Sequence, residues 1–326
     1  MAIRRTATII AGIAMLASFA GIPPAPALSQ NAPLRIATSP SDLGAQVYYA
    51  KELGLFSRNG LDVDISPVSN GADMIAALVG GSLDIGWSSV IPIASAHVRG
   101  IGLTILATAT VYSASAPTSG MLVVTKSSPI HSGKDLNGKT IAILGIHSNS
   151  DVSVREWIDR NGGDDKTIHL LELPYAQMAD AVTAGRVDAA SIDNTGDVLF
   201  GKPDDPLRVV GNTFDAIAPR FSGSVWFSSS DWVAKHPDEA RKFIAAIKEA
   251  SIWANAHHRE SAEILAKYTK RSVEQIEGVP RRTTYGYAAT ADLIQPTIDI
   301  AAKYKLIPSA FPARDLISPL AINSDR

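Results

Sequence analysis

A thirteen-residue segment, ADMIAALVGGSLD at residues 72–84, returns 104 positions later as AQMADAVTAGRVD at residues 176–188. Ala72, Met74, Ala77, Gly81 and Asp84 recur as Ala176, Met178, Ala181, Gly185 and Asp188, while Leu78 and Leu83 become Val182 and Val187. Each copy reads as a short helix, a glycine and the start of an apolar strand. Met74, Ala77 and Leu78 share one helix face that can cover a sheet. Gly81 and Gly185 suit the left-handed conformation that ends a helix, and Asp84 and Asp188 then open strands. Solenoids need at least three units to bury a continuous core. Two copies therefore predict a duplicated α/β lobe.

The flanking sequence supports that reading. After Pro33, strand-like and helix-like segments alternate: LRIAT, AQVYYAKELGLF, LDVDISPV, ADMIAALV, LDIGW, IPIASAHVRG and LTILATA. The alternation restarts after Gly120 with TIAIL, a helix through Val154 and Trp157, IHLLEL, the second repeat helix, DAASI and LRVVG. Strands separated by single helices imply right-handed βαβ units and mostly parallel sheets. Two extended runs, SAPTSGMLVV and SGSVWFSSS (222–230), follow the two series and read as crossovers. From Pro237 the chain is mainly helical, with proline at a first helical position and Asp238 and Glu239 on the positive end of the dipole. The expected lobes are 34–118 plus 236–326, and 119–235. A chain of 326 residues, 46% of them hydrophobic, can bury two such cores.

Charge and cysteine content narrow the function. Thirty basic and 32 acidic residues give a formal charge of −2 without a basic stripe, so no nucleic-acid partner is expected. The chain has no cysteine, which excludes disulfides, thiolate metal sites and cysteine nucleophiles. Its seven histidines are scattered, and the adjacent pair His257 and His258 points in different directions on a helix. No metal and no cofactor are expected. Nucleophile-elbow, P-loop, dinucleotide and H-E-x-x-H motifs are all absent. At the N-terminus, Arg4 and Arg5 precede an apolar run from Ala7 to about Ala20 and a Pro/Ala stretch, the layout of a secretory signal peptide over residues 1–29. Cleavage is expected after Ala27 or Ser29, releasing the chain into the periplasm.

The runs A-K-E-L-G-L-F-S-R-N-G-L-D-V and A-L-V-G-G-S-L-D-I-G, with SGMLVV and DWVAKHPDEARKFIAAIKEASIWANAH, resemble the periplasmic substrate-binding proteins of ABC importers for nitrate, sulfonates and taurine. The similarity extends from Leu34 to Thr269. It implies a bilobal, type II Venus-flytrap α/β fold with two crossover segments and a ligand cleft between lobes. Closure would occur through the segments near Ser119–Val124 and Ser222–Phe227. The implied partners are a small-molecule ligand, a permease and its ATPase, and the protein is expected to be a monomer. Two departures are visible: many members carry proline where Gln46 stands, and Trp-acid-Pro where this chain has Asp193-Asn194-Thr195. An enzyme branch of the fold uses a cysteine-rich motif that this chain lacks. A ligand-sensing protein would use the same cleft.

Open α/β sheets bind ligands at strand C-terminal ends, and a cleft that holds a polar solute without reacting needs neutral donors, helix N-termini and an aromatic wall. In lobe one those positions are Ser39, Ser41 and Gln46, then Asn70 with Gly71, then Trp87, Ser88 and Ser89. In lobe two they are His147, Ser148, Asn149 and Ser150. Each serine or asparagine could equally be a helix cap, and Trp87 could fill the core. Ser119 at the first crossover and Arg220 at the second complete the candidate set, together with Asp193 and Asn194. Arg220 would pair with an anionic ligand or be a solvated surface charge, and His147 would donate to an anion, whereas Asp193 and Asn194 would receive an amine or hydroxyl, or make a lobe-closing contact. The expected ligand is a small anion of sulfonate, nitrate or carboxylate type.

Overall fold

Two sheets with the same strand order account for the repeat. The computed structural model describes residues 32–68, 71–115, 120–192, 205–277 and 284–321. The first series comprises β1 (Leu34–Thr38), α1 (Gln46–Glu52), α2 (Leu55–Arg58), β2 (Val63–Pro67), α3 (Gly71–Val79), β3 (Ile85–Ser88), α4 (Val90–His97) and β4 (Leu103–Ser113). The second comprises β5 (Met121–Thr125), β6 (Thr140–Ile143), α5 (Asn149–Arg160), β7 (His169–Glu172), α6 (Tyr175–Thr183), β8 (Ala189–Ile192) and β9 (Leu207–Asn212). The chain then returns through β10 (Arg220–Ser229), α7 (Ser230–Lys235), α8 (Pro237–Ala256), α9 (His258–Tyr268), α10 (Val273–Glu277), β11 (Thr284–Tyr285) and α11 (Ala291–Lys303).

The first sheet runs β2-β1-β3-β10-β4-β11 and the second β7-β6-β8-β5-β9. In each, the first three strands are parallel. In each, the next strand is antiparallel and is the one formed immediately after a crossover, β10 in the first sheet and β5 in the second. Each lobe thus receives one strand as the chain arrives from the other. The first core is the larger, with Trp226, Tyr49, Phe56, Phe221, Phe227 and Phe243 fully buried. In the second lobe, Leu122 and Val124 pack on one face of the sheet and Val123 on the other. That split follows from the period of two along a strand, and it shows a sheet covered by helices on both sides.

The repeated residues do the same jobs twice. Gly81 and Gly185 have φ of 71° and 67°, the left-handed conformation that closes α3 and α6. Met74 and Met178 are fully buried. Asp84 does more than open a strand. Its carboxylate accepts the backbone N–H of Arg35 at 2.8 Å and the Arg35 guanidinium at 2.6 and 3.0 Å, tying β1 to the entry of β3. Asp188 accepts the backbone N–H of Thr140 at 2.9 Å and pairs with Lys139 at 3.2 Å, tying β6 to β8 in the same way.

One boundary differs from the expectation. The run at 222–230 is not a hinge: most of it is β10, buried between β3 and β4, so the first lobe resumes at Arg220 and not at residue 236. Small side chains here permit close packing. Ser228 donates to the Asp84 carbonyl at 2.6 Å, and a Cβ on Gly223 would lie 2.8 Å from Thr110. The outward crossover leaves β4 after Ser113 and enters β5 at Met121, and the return runs through residues 213–219 beside its two described ends. Thr213 N–H donates to Gly120 at 2.7 Å and Ala114 N–H donates to Pro219 at 2.8 Å. As the sequence indicated, Pro237 begins α8 with Asp238 and Glu239 in its first turn. The signal-peptide segment lies outside the described residues. No helix among the described residues is long and apolar enough to cross a membrane.

Candidate functional site

A cavity of about 1150 Å³ opens between the two sheets, lined by residues of both lobes. Four helices begin at its wall: Gly71 of α3, Ser89 before α4, Ser148 and Asn149 at α5, and Pro174 and Tyr175 at α6. The free N–H groups of a helix first turn, with the positive end of the helix dipole, favour acceptor atoms and negative charge. Four such ends at one cavity give it that preference without a cluster of cations. The charged lining residues are Arg99 and Glu172, and His147 also lines the cavity.

Of the sequence candidates, Trp87, Ser88, Ser89, His147, Ser148 and Asn149 come together here, with Ser150. The capping alternative fails for two of them. Ser89 and Ser148 stand at N-cap positions, yet neither side chain accepts a first-turn N–H. Ser148 donates instead to the Gly145 carbonyl at 2.6 Å and contacts Ser150 at 2.8 Å. The loop before α5 is held from two other directions. Asp151, buried in the first turn, accepts the His147 N–H at 2.8 Å and the Arg155 guanidinium at 2.6 Å. Glu172 accepts the Ile146 N–H at 2.5 Å. His147 itself is exposed and has φ of 59°, a left-handed turn that swings the chain into the helix.

Two cavity side chains are more than nine-tenths buried and hold polar atoms without a partner: Trp87 Nε1 and Asn149 Oδ1. The Asn149 amide nitrogen donates to the Gly223 carbonyl at 3.0 Å. Trp87 stands on β3, where its backbone N–H meets the Met74 sulfur at 3.2 Å. Nearly all buried polar side-chain atoms in proteins are paired, so orphans at a cavity point to a ligand. Apolar residues complete the walls, among them Ile75 and Val79 from the first lobe and Leu144 and Ile146 from the second.

Three candidates belong elsewhere. Gln46 is fully buried in the first core: its nitrogen reaches Ser251 at 2.5 Å and the Gly286 carbonyl at 2.9 Å, and its oxygen accepts the Trp226 indole N–H at 2.7 Å. Every hydrogen-bonding atom of that amide is used inside the lobe, where α1 packs on α8. Ser39 contacts Ser41 at 3.1 Å and does not line the cavity. Arg220 is exposed at the start of β10 and does not line it either. Arg220→Ala is therefore expected to leave ligand affinity within error in a calorimetric titration, and a loss above about tenfold would return it to the site. Asn70, Ser119, Asp193 and Asn194 lie outside the described residues.

Sequence reasoning passed over Arg99, Glu172 and Tyr175. For Tyr175 a signal was present. The 104-residue offset that pairs Gly71 with residue 175 carries a cleft position of the first lobe directly onto the second. Arg99 and Glu172 lie at the end of a helix and of a strand, and nothing in their spacing marks them.

A family model described as NMT1/THI5 like matches residues 44–261. A protein of Brucella abortus is 24% identical over 261 residues, which is 78% of this chain and 77% of its own length. The 4-amino-5-hydroxymethyl-2-methylpyrimidine phosphate synthase of Schizosaccharomyces pombe is 22% identical over 218 residues, 63% of this chain and 60% of the enzyme. Among solved structures, the periplasmic aliphatic sulphonate binding protein SsuA of Escherichia coli superposes with a TM-score of 0.70 at 22% identity, covering 90% of this chain and 94% of SsuA. The architecture is therefore the periplasmic binding protein fold.

Proposed function

Because the chain belongs to the NMT1/THI5-like family, we propose that it is the periplasmic solute-binding component of an ABC importer and captures a small anionic solute in the cavity between its lobes. One observation carries this reading. Four helix N-termini and two orphaned buried polar atoms, drawn from both lobes, meet at a single cavity. A site of this kind holds a ligand by hydrogen bonds and dipoles. Capture ahead of catalysis also fits a chain without cysteine. Export is supported by the Arg4-Arg5 and apolar pattern at the N-terminus, and by the periplasmic location of the SsuA protein that shares the fold.

The architecture supports delivery to a permease. The crossovers between β4 and β5 and between β9 and β10 connect the lobes, and hinge bending there would close the cavity on its solute and shape a surface for a permease. A thermal-shift screen of sulfonates, carboxylates, nitrate and pyrimidines tests the reading. A ligand present at about 1,000 times its dissociation constant should add about 4 kcal/mol of stability, and small-angle scattering should show compaction. Tight binding at an unchanged radius would show that the lobes do not move. Chemical turnover of the bound compound would favour the enzyme reading.

A further inference from the structure

We infer that the ligand is an organic anion bringing an N–H or O–H donor as well as an acceptor, of the amido-acid, lactam-acid or hydroxy-acid kind, and not a bare oxyanion. The inference rests on the solute-capture reading and narrows its substrate class. It comes from the two orphaned atoms, which have opposite requirements. An indole N–H can only donate, so Trp87 Nε1 asks for an acceptor. Asn149 asks for the reverse. A backbone carbonyl can only accept, so the contact with Gly223 O fixes the amide nitrogen on that side and leaves Oδ1, an acceptor, as the unpaired atom.

Nitrate or an unsubstituted alkanesulfonate would satisfy Trp87 and the helix N-termini. Against Asn149 Oδ1 it could set only another lone pair. A buried acceptor left facing an acceptor costs about 1–3 kcal/mol, roughly a 5- to 150-fold handicap relative to a ligand that donates there. Such a mismatch rejects wrong solutes as effectively as a good contact selects right ones. Glu172, on the same cavity wall, adds acceptor oxygens and negative charge. It therefore reinforces the demand for a donor. The exposed side chains of Val79, Leu144 and Ile146 give the molecule's apolar part somewhere to lie, which an inorganic anion would not use.

The test is calorimetric titration of the full-length chain with small organic acids in matched pairs. Mandelate would be set against its O-methyl ether and hippurate against its N-methyl derivative, with nitrate and methanesulfonate alongside. The donor-bearing member of a pair should bind about tenfold tighter or more. Asn149→Leu should abolish that preference within a pair. Trp87→Phe should weaken both members alike, and its stability change should be confined to packing, because the lost N–H had no partner. Equal affinity within the pairs, a preference that survives Asn149→Leu, or nitrate or methanesulfonate outbinding every organic acid would overturn the donor requirement and leave solute capture standing. If the two orphaned atoms pair with each other on closure, both variants lose affinity equally for every probe, and the inference fails. Should no probe bind and none compact the protein, the solute-capture reading falls and takes this one with it.

Discussion

Asp84→Ala is expected to lower the melting temperature well beyond the equivalent change in the second lobe, Asp188→Ala. Both aspartates tie a neighbouring strand, but their surroundings differ. The Asp84 side chain is 10% exposed and accepts three hydrogen bonds from Arg35, one of them from its backbone. Truncation leaves the Arg35 N–H without its partner and strips the guanidinium of its counter-ion. Breaking a buried pair in this way costs about 3–5 kcal/mol. Because the Arg35 side chain is 43% exposed, the lower end applies. Asp188 is 37% exposed and its Lys139 partner 41%, so water replaces most of what is lost, at a cost of about 1 kcal/mol. At about 2–4 °C per kcal/mol, the two variants should separate clearly in a calorimetric melt. Arg35→Met, alone and combined with Asp84→Ala, would isolate the coupling. Equal losses at the two aspartates would show that the tie contributes nothing beyond its backbone hydrogen bond.

Glu156→Gln is expected to weaken the protein at neutral pH and to remove part of its acid sensitivity. Glu156 lies on α5 of the second lobe, with a side chain only 5% exposed. It accepts from Arg160 at 2.8 Å, from the Tyr304 hydroxyl at 2.7 Å and from the Lys303 ammonium. Lys303 and Tyr304 end α11, which packs on the first lobe, so this carboxylate links the lobes at the same helix whose N-terminus reaches the cavity. Burial pushes the Glu156 carboxyl up, but the hydrogen bonds from Lys303, Tyr304 and Arg160 outweigh burial and hold it below its ordinary value of 4.5. A carboxyl depressed by folding contributes stability that is fully present above the unfolded value and is lost as pH falls through the folded one. The wild-type advantage over Glu156→Gln should therefore be flat from about pH 5 to 8 and shrink below about 4.5. The Tyr304 hydroxyl, raised by burial and by its carboxylate neighbours, stays protonated throughout that window. An advantage of about 2–4 kcal/mol is expected at neutral pH. No advantage at neutral pH, or one unchanged down to about pH 3, would remove Glu156 from the link between lobes.

The sequence by itself determined the two-lobe α/β plan and the order of its elements, because hydrophobic periodicity and glycine placement are local properties that any tertiary arrangement must respect. It also placed Trp87, Ser88, Ser89 and the 147–150 cluster at one site, since a strand–helix junction in a parallel unit always opens at the same edge of its sheet. Only the tertiary structure decided which polar residues face ligand and which serve the core. Gln46 and Asn149 both stand at the first position of a helix. One is consumed by Ser251, Gly286 and Trp226, whereas the other keeps an oxygen unpaired at the cavity. Their partners lie 205, 240 and 180 residues from Gln46 and 74 from Asn149, distances over which no local pattern carries information. The role of 222–230 was decided in the same way. Small residues permit either a hinge or a tightly packed strand, and only the presence of β3 and β4 on its two sides makes it the latter.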